Sequence, residues 1–230
     1  MSPELLGHLS RINLFADLDA ETLARLDGIG PMTTVPRGTL LVRPDQPAAA
    51  LYLLKRGRVR LYRLDAQGRP LSLALLGDGN VFGASEHIWL GCEDMYAETM
   101  QESLLCAMRR PDVERLLGQH PEVGMRLIAL LSERVRELEA LVASLAHEDV
   151  RHRVLRTLIR LADDFGEEDS GMTRISVSLS HEDLASMVGS TRETVTATLT
   201  RLGHEGLVRT GRRELAINAA RARGALEDGA

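Results

Sequence analysis

Apolar positions change period several times along the chain, and each change marks an element. Leu5, Leu6, Leu9, Ile12 and Leu14 recur at helical spacing, and Asp19 to Thr22 then caps a second apolar stripe with Leu23 and Leu26, so the first thirty residues read as helix. From Met32 to Met108 short apolar runs take over: Thr39 to Val42, Leu51 to Leu54, Val59 to Leu64, Leu71 to Leu76 and Leu104 to Ala107. Turn signals separate them at Pro36 to Gly38, Arg56 and Gly57, Asp65 to Gly68, and Gly77 to Gly79. Strands at near-regular spacing with glycine turns predict an antiparallel barrel or jelly roll. Pro111 opens a new helical region. After Pro121, Ile128, Leu131, Val135, Leu138, Val142 and Leu145 step by 3, 4, 3, 4 and 3, a heptad seam flanked by charges such as Glu133, Arg136 and Glu139. A stripe this strict is narrower than the face of an ordinary core helix, which predicts a dimerisation helix over 121–146. A further helix is expected from Asp149 to Asp164, then an acidic loop from Asp163 to Gly171 and a short strand from Arg174 to Leu179.

Between Ser180 and Val208 the pattern is that of two short helices about a tight turn. Ser180 with Asp183, and Ser190 with Glu193, each have the spacing of a capping box, so two helix starts lie ten residues apart. Ala185 lets the helices cross closely, and Gly189 supplies the positive φ of a sharp turn. Leu184, Met187 and Val188 would pack against Val195, Leu199 and Leu202, which leaves Arg192, Glu193, Thr196, Ala197 and Thr200 on the opposite face. These side chains suit a major groove. Arginine donates to guanine O6 and N7, glutamate accepts from cytosine N4, and threonine or alanine meets a thymine methyl. Leu207 to Ile217 reads as a β-hairpin with Gly211 and Arg212 at its tip. On this reading Arg192 and Glu193 meet base edges with help from Thr196 and Ala197, while Ser190, Thr191, Arg201, Arg209 and Arg212 hold phosphates.

Composition sharpens this picture. The 230 residues allow one large domain or two modest ones, and 44% hydrophobic with 27% charged residues is the balance of a folded globular protein. No apolar run approaches the ~20 residues of a spanning helix, and the N-terminus has no signal-peptide core, so a cytoplasmic protein without membrane contact is expected. The net charge of −5 argues against a protein that coats polyanions. It is a whole-chain average, however: between Gly189 and Arg223 seven arginines face three glutamates. Cys92 and Cys106 are too few for a thiolate metal site.

From Leu14 onward the chain resembles the CRP/FNR family of bacterial transcription regulators. The strongest likeness is Val188 to Val195 (VGSTRETV), followed by Leu199 to Leu202 and Glu205 to Val208. The resemblance implies an α+β fold: an N-terminal cyclic-nucleotide-binding-type β jelly roll over 1–120, a long dimerisation helix over 121–146, and a C-terminal winged helix-turn-helix over 147–230. It also implies a homodimer on a pseudo-palindromic operator in double-stranded DNA, with RNA polymerase as a further partner. The family's Arg-Glu pair reads a TGTGA-like half-site with an arginine four residues after the glutamate. Here that position is Ala197, so a related but relaxed half-site is expected.

The effector side departs from the family. Gly83 is kept, but Ala84 stands where cyclic-AMP receptors have glutamate, and Asp94 with Met95, or Met95 with Tyr96, stand in place of their Arg-Ser pair. Leu138 and Glu139 replace the Thr-Ser pair that meets adenine, whereas Arg134 matches a family arginine. A cyclic phosphate without its arginine is poorly compensated, which speaks against control by cyclic AMP. The expected cofactor set is therefore empty, apart from an unidentified small molecule in an altered pocket around Gly83, Ala84, Ser85, Glu86, Met95, Tyr96 and Arg134, or no effector at all. Haem ligation by His8, His87, Cys92 or Cys106, and redox sensing by the two cysteines, are alternatives with no supporting spacing. A cupin-like enzyme would need several histidines in the barrel, where His87 stands alone, so no catalytic residue is assigned.

Overall fold

The computed structural model describes residues 12–25, 30–45, 50–85, 88–90, 95–169, 171–211 and 214–227. The chain divides into two units, Met1–Leu64 with Leu73–Leu138, and Asp65–Ser72 with Glu139–Ala230. The division falls inside the long helix rather than at its ends.

In the first unit a 3-10 turn (Asn13–Phe15) and helix α1 (Ala20–Arg25) precede the strands. Asp19 caps α1 as expected, its Oδ1 accepting from the Thr22 amide at 2.7 Å. The strands are β1 (Thr33–Val35), β2 (Leu40–Val42), β3 (Ala50–Arg56), β4 (Val59–Leu64), β5 (Pro70–Leu76), β6 (Val81–Ser85), β7 (Ile88–Leu90), β8 (Tyr96–Thr99) and β9 (Ser103–Arg109). They form a five-stranded sheet in the order β1-β9-β3-β6-β7 and a four-stranded sheet in the order β2-β8-β4-β5. Two-residue alternation along β3 and β9 builds two cores. Leu54 and Leu105 join Val59, Leu61, Phe82 and Ala97 of both sheets. Leu51, Leu53, Cys106 and Met108 turn the other way, onto Phe15, Leu23 and residues of the next helices, α2 (Arg110–Gln119) and α3 (Pro121–His147). Strand β8 was not visible in the apolar pattern because its inward residues are Ala97 and Thr99, and its outward Glu98 is neutralised by Arg60 on β4, 2.9 Å away.

Helix α3 runs unbroken for 27 residues. Asp149 then caps α4 (Val150–Phe165), accepting from the His152 amide at 2.8 Å. The expected loop from Asp163 to Gly171 is corrected: α4 continues to Phe165, and Gly166–Asp169 is strand β10, antiparallel to β11 (Met172–Ile175). An edge strand tolerates the charges of Glu167, Glu168 and Asp169 that make the segment look like a loop. The strand expected over Arg174 to Leu179 ends at Ile175, since the Ser176 amide and hydroxyl both turn back to the Phe165 carbonyl. Helices α5 (His181–Val188) and α6 (Arg192–His204), strands β12 (Val208–Gly211) and β13 (Glu214–Ile217) and helix α7 (Ala219–Glu227) follow, the strands completing a sheet in the order β10-β11-β13-β12. No helix among the described residues is long and apolar enough to cross a membrane.

Candidate nucleic-acid interface

The helix pair forms as its sequence dictates. The Ser180 hydroxyl accepts from the Asp183 amide while the Asp183 carboxylate accepts from the Ser180 amide, a complete capping box. Gly189 ends α5 in the left-handed region with φ 58°, which bends the chain into the turn. The second start differs from expectation. Thr191, not Ser190, caps α6, accepting from the Thr194 amide at 3.3 Å, and no Ser190–Glu193 box forms. The helix therefore starts one residue later. Leu184, Ala185, Met187 and Val188 are buried, as are Val195, Leu199 and Leu202.

The face opposite this core carries Arg192, Glu193, Ala197 and Thr200, all exposed, with Thr196 half-buried among them. Arg192, Glu193 and the exposed Arg201 form no ion pair among the described residues. Other cations of the basic segment are engaged: Arg209 with Asp169 at 2.6 Å, Arg223 with Asp163 at 2.5 Å, and Arg221 with the Glu205 carbonyl at 3.3 Å. Sequence reasoning had no means to find Asp169, forty residues before Arg209, because the acidic segment was expected to be a loop. Arg212 lies outside the described residues. It also missed His181, whose Nδ1 lies 2.8 Å from Thr196 Oγ1 across the two helices.

Gly83 has φ 110°, and a Cβ there would clash with the Ala50 carbonyl, so the glycine is required by the close approach of β3. Ala84 and Ser85 pair with Trp89 and Ile88 of β7, while Glu86 and Cys92, like His8 and His87, lie outside the described residues. Met95 is buried in the core between the sheets rather than lining a pocket. Tyr96 stacks on Tyr62 with centroids 5.0 Å apart, and the Arg60 guanidinium sits over the Tyr62 ring. Arg134 donates to the Leu73 carbonyl at 2.7 Å and to Glu137 at 2.5 Å. Among the described residues of this set, the one cation, Arg134, is held by partners within its own chain. Cys106 is buried, and burial pushes its thiol pKa up against the opposing pull of Lys55. Lys55 itself is buried on β3 without a hydrogen-bond partner for Nζ among the described residues, and burial lowers its amine to about 8.

On α3 the seam divides into two rows. Ile128, Val135 and Val142, seven residues apart, are 56%, 53% and 66% exposed, while Leu131, Leu138 and Leu145 are half-buried.

A jelly roll followed by a winged helix-turn-helix is the build of a DNA-binding regulator. The Crp-like helix-turn-helix domain matches residues 152–222, and the cyclic nucleotide-binding domain matches residues 32–120. The chain is 34% identical over 176 residues to the cyclic AMP receptor protein of Thermus thermophilus, covering 76% of this chain and 78% of that one. It is 29% identical over 201 residues to the CRP-like cAMP-activated global transcriptional regulator of Mycobacterium tuberculosis, covering 87% and 90%. Among solved structures, the c-di-GMP responsive global regulator CLP of Xanthomonas campestris superposes with a TM-score of 0.74 at 25% identity, covering 86% of this chain and 99% of that one. The chain belongs to the CRP/FNR family of transcription regulators and carries that family's helix-turn-helix DNA-binding domain.

Proposed function

We propose that the protein acts as a homodimer that reads a pseudo-palindromic operator with α6 of each copy, and that it does so without cyclic AMP. The α6 face carries the reading: Arg192 and Glu193 are exposed and unpaired among the described residues, at the first turn of a capped helix whose other face is buried. That is the state in which an arginine can meet guanine and a glutamate cytosine. Thr196 and Ala197 complete the base-facing row. Ser190, Thr191 and Arg201 serve phosphates, as Arg209 does once it leaves Asp169.

Pairing is supported by the exposed row Ile128, Val135 and Val142, an apolar stripe on a charged helix that has the spacing of a two-stranded coiled coil. Independence from cyclic AMP is supported by the buried Met95 and by the commitment of Arg134 to partners within its own chain. An operator should be selected from random duplexes with the purified full-length chain, then titrated with and without cyclic AMP. Tight binding unchanged by the nucleotide is expected. Strengthening of about fivefold or more, the low end of effector coupling, would overturn the effector assignment.

A further inference from the structure

We infer that His181 is a positioning residue that locks the Thr196 hydroxyl and so makes the centre of the α6 face read the methyl group of a thymine. The inference rests on α6 being the base-reading helix. Thr196 Oγ1 donates to the Arg192 carbonyl one turn back at 2.8 Å, and His181 Nδ1 stands 2.8 Å from the same oxygen. With the hydroxyl hydrogen committed to the carbonyl, the imidazole must be the donor, through Nδ1–H. The hydroxyl thus gives its hydrogen to one neighbour and accepts from another. A base approaching this position then finds the γ-methyl group as the available part of the side chain, and an apolar methyl selects the C5-methyl of thymine over bases that offer only polar edges.

Two further observations agree. Thr196 is half-buried while Arg192, Glu193, Ala197 and Thr200 on the same face are exposed, and Ala197 beside it adds a second methyl. Position 196 also differs from Thr200, whose hydroxyl bonds only to the Thr196 carbonyl one turn back, with no side-chain partner described.

The test replaces thymines of the selected operator one at a time by deoxyuridine, which removes only the methyl group. For the wild-type chain one symmetry-related thymine pair should show a loss of about fourfold per half-site, the worth of one buried methyl. Thr196→Val, which keeps a methyl without the hydroxyl, should retain that ratio, and Thr196→Ser should lose it. His181→Leu removes the hydroxyl's donor, leaves its acceptor site open to a polar base edge and should bring the ratio close to one, while His181→Asn, which restores a donor near the Nδ1 position, should recover it. A purely structural role for His181 would lower affinity for thymine and uracil duplexes alike. Equal affinity for both duplexes in the wild type, or an unchanged ratio in His181→Leu, overturns the inference. In that case sequence preference that still depends on Arg192 leaves the α6 reading intact, whereas loss of all sequence preference sinks the two together.

Discussion

In the first unit, Arg134 of α3 is held by the Leu73 carbonyl and Glu137, and Arg60 of β4 by Glu98 with its guanidinium over Tyr62, whereas on α6 Arg192 and Glu193 stand in solvent with no partner described. Both regions keep the family's chain trace, yet of these four charged side chains only the two on α6 have no partner described. A charged group already satisfied within its own protein gains little from a new partner, because the old contact must be given up first. Shared fold therefore extends over both units, while the charges left open to a partner, among those compared, lie in the second.

The largest expected effect comes from breaking the proposed pairing through α3. Leu138→Glu with Val142→Glu places charges along the seam of α3, and the protein should sediment as a monomer. Operator affinity should fall by at least about 100-fold, the scale of avidity lost when two linked sites become one. A double variant that stays dimeric would show that the stripe serves another purpose.

The barrel's exception to paired charges is next. The Lys55 amine, lowered to about 8 from an ordinary 10.5, is held charged below pH 8 at a cost of about 3 kcal/mol, taken as an upper bound. Between those values the unfolded chain keeps the proton that the folded chain has released, so stability should rise as pH goes from 8 to 10.5. Lys55→Met should raise the melting temperature at pH 7 and flatten that rise. A variant no more stable than the parent would mean that Lys55 finds a partner in solution.

The comparison also explains what was legible in the sequence. The helix pair could be read because its signals are local: a cap at Ser180, a glycine at 189, and apolar residues returning every three or four positions. Helix α3 was legible for the same reason, though the heptad spacing did not separate the exposed Ile128, Val135 and Val142 from the half-buried Leu131, Leu138 and Leu145. Long-range partners were not, since no spacing relates Arg134 to Leu73, Arg209 to Asp169 or His181 to Thr196. The slip of one residue at the second cap has a local cause, because Ser190 and Thr191 are both competent caps and the turn geometry chooses between them. Strands β6 and β8 escaped because glycine, small and charged residues interrupt the apolar alternation, and β7, Ile88–Leu90, because three residues are too few to show a period.

Within the C-terminal unit the contrast can be sharpened by comparing two arginines. Arg192→Ala should cost about 1–3 kcal/mol per half-site and blunt discrimination at one base pair. Arg209→Ala should weaken every duplex alike and by less, since part of its charge is already spent on Asp169. Equal losses for both variants on all sequences, measured by competition with scrambled duplex, would remove Arg192 from base reading.

The smallest effect tests whether the acidic strand restrains the wing. Asp169 on β10 holds Arg209 on β12 at 2.6 Å, both side chains being about half exposed. An exposed pair of this kind is worth at most about 1 kcal/mol, so its carboxylate competes with a phosphate without excluding it. Asp169→Asn keeps the side-chain shape and removes the charge, leaving Arg209 to the duplex alone. Non-specific affinity should rise by roughly two- to fivefold, and the slope of log affinity against log salt should steepen by up to about one per subunit. Because the gain is indifferent to sequence, the ratio of specific to non-specific binding should stay unchanged. A changed ratio would mean that the wing, and not α6 alone, takes part in choosing the site.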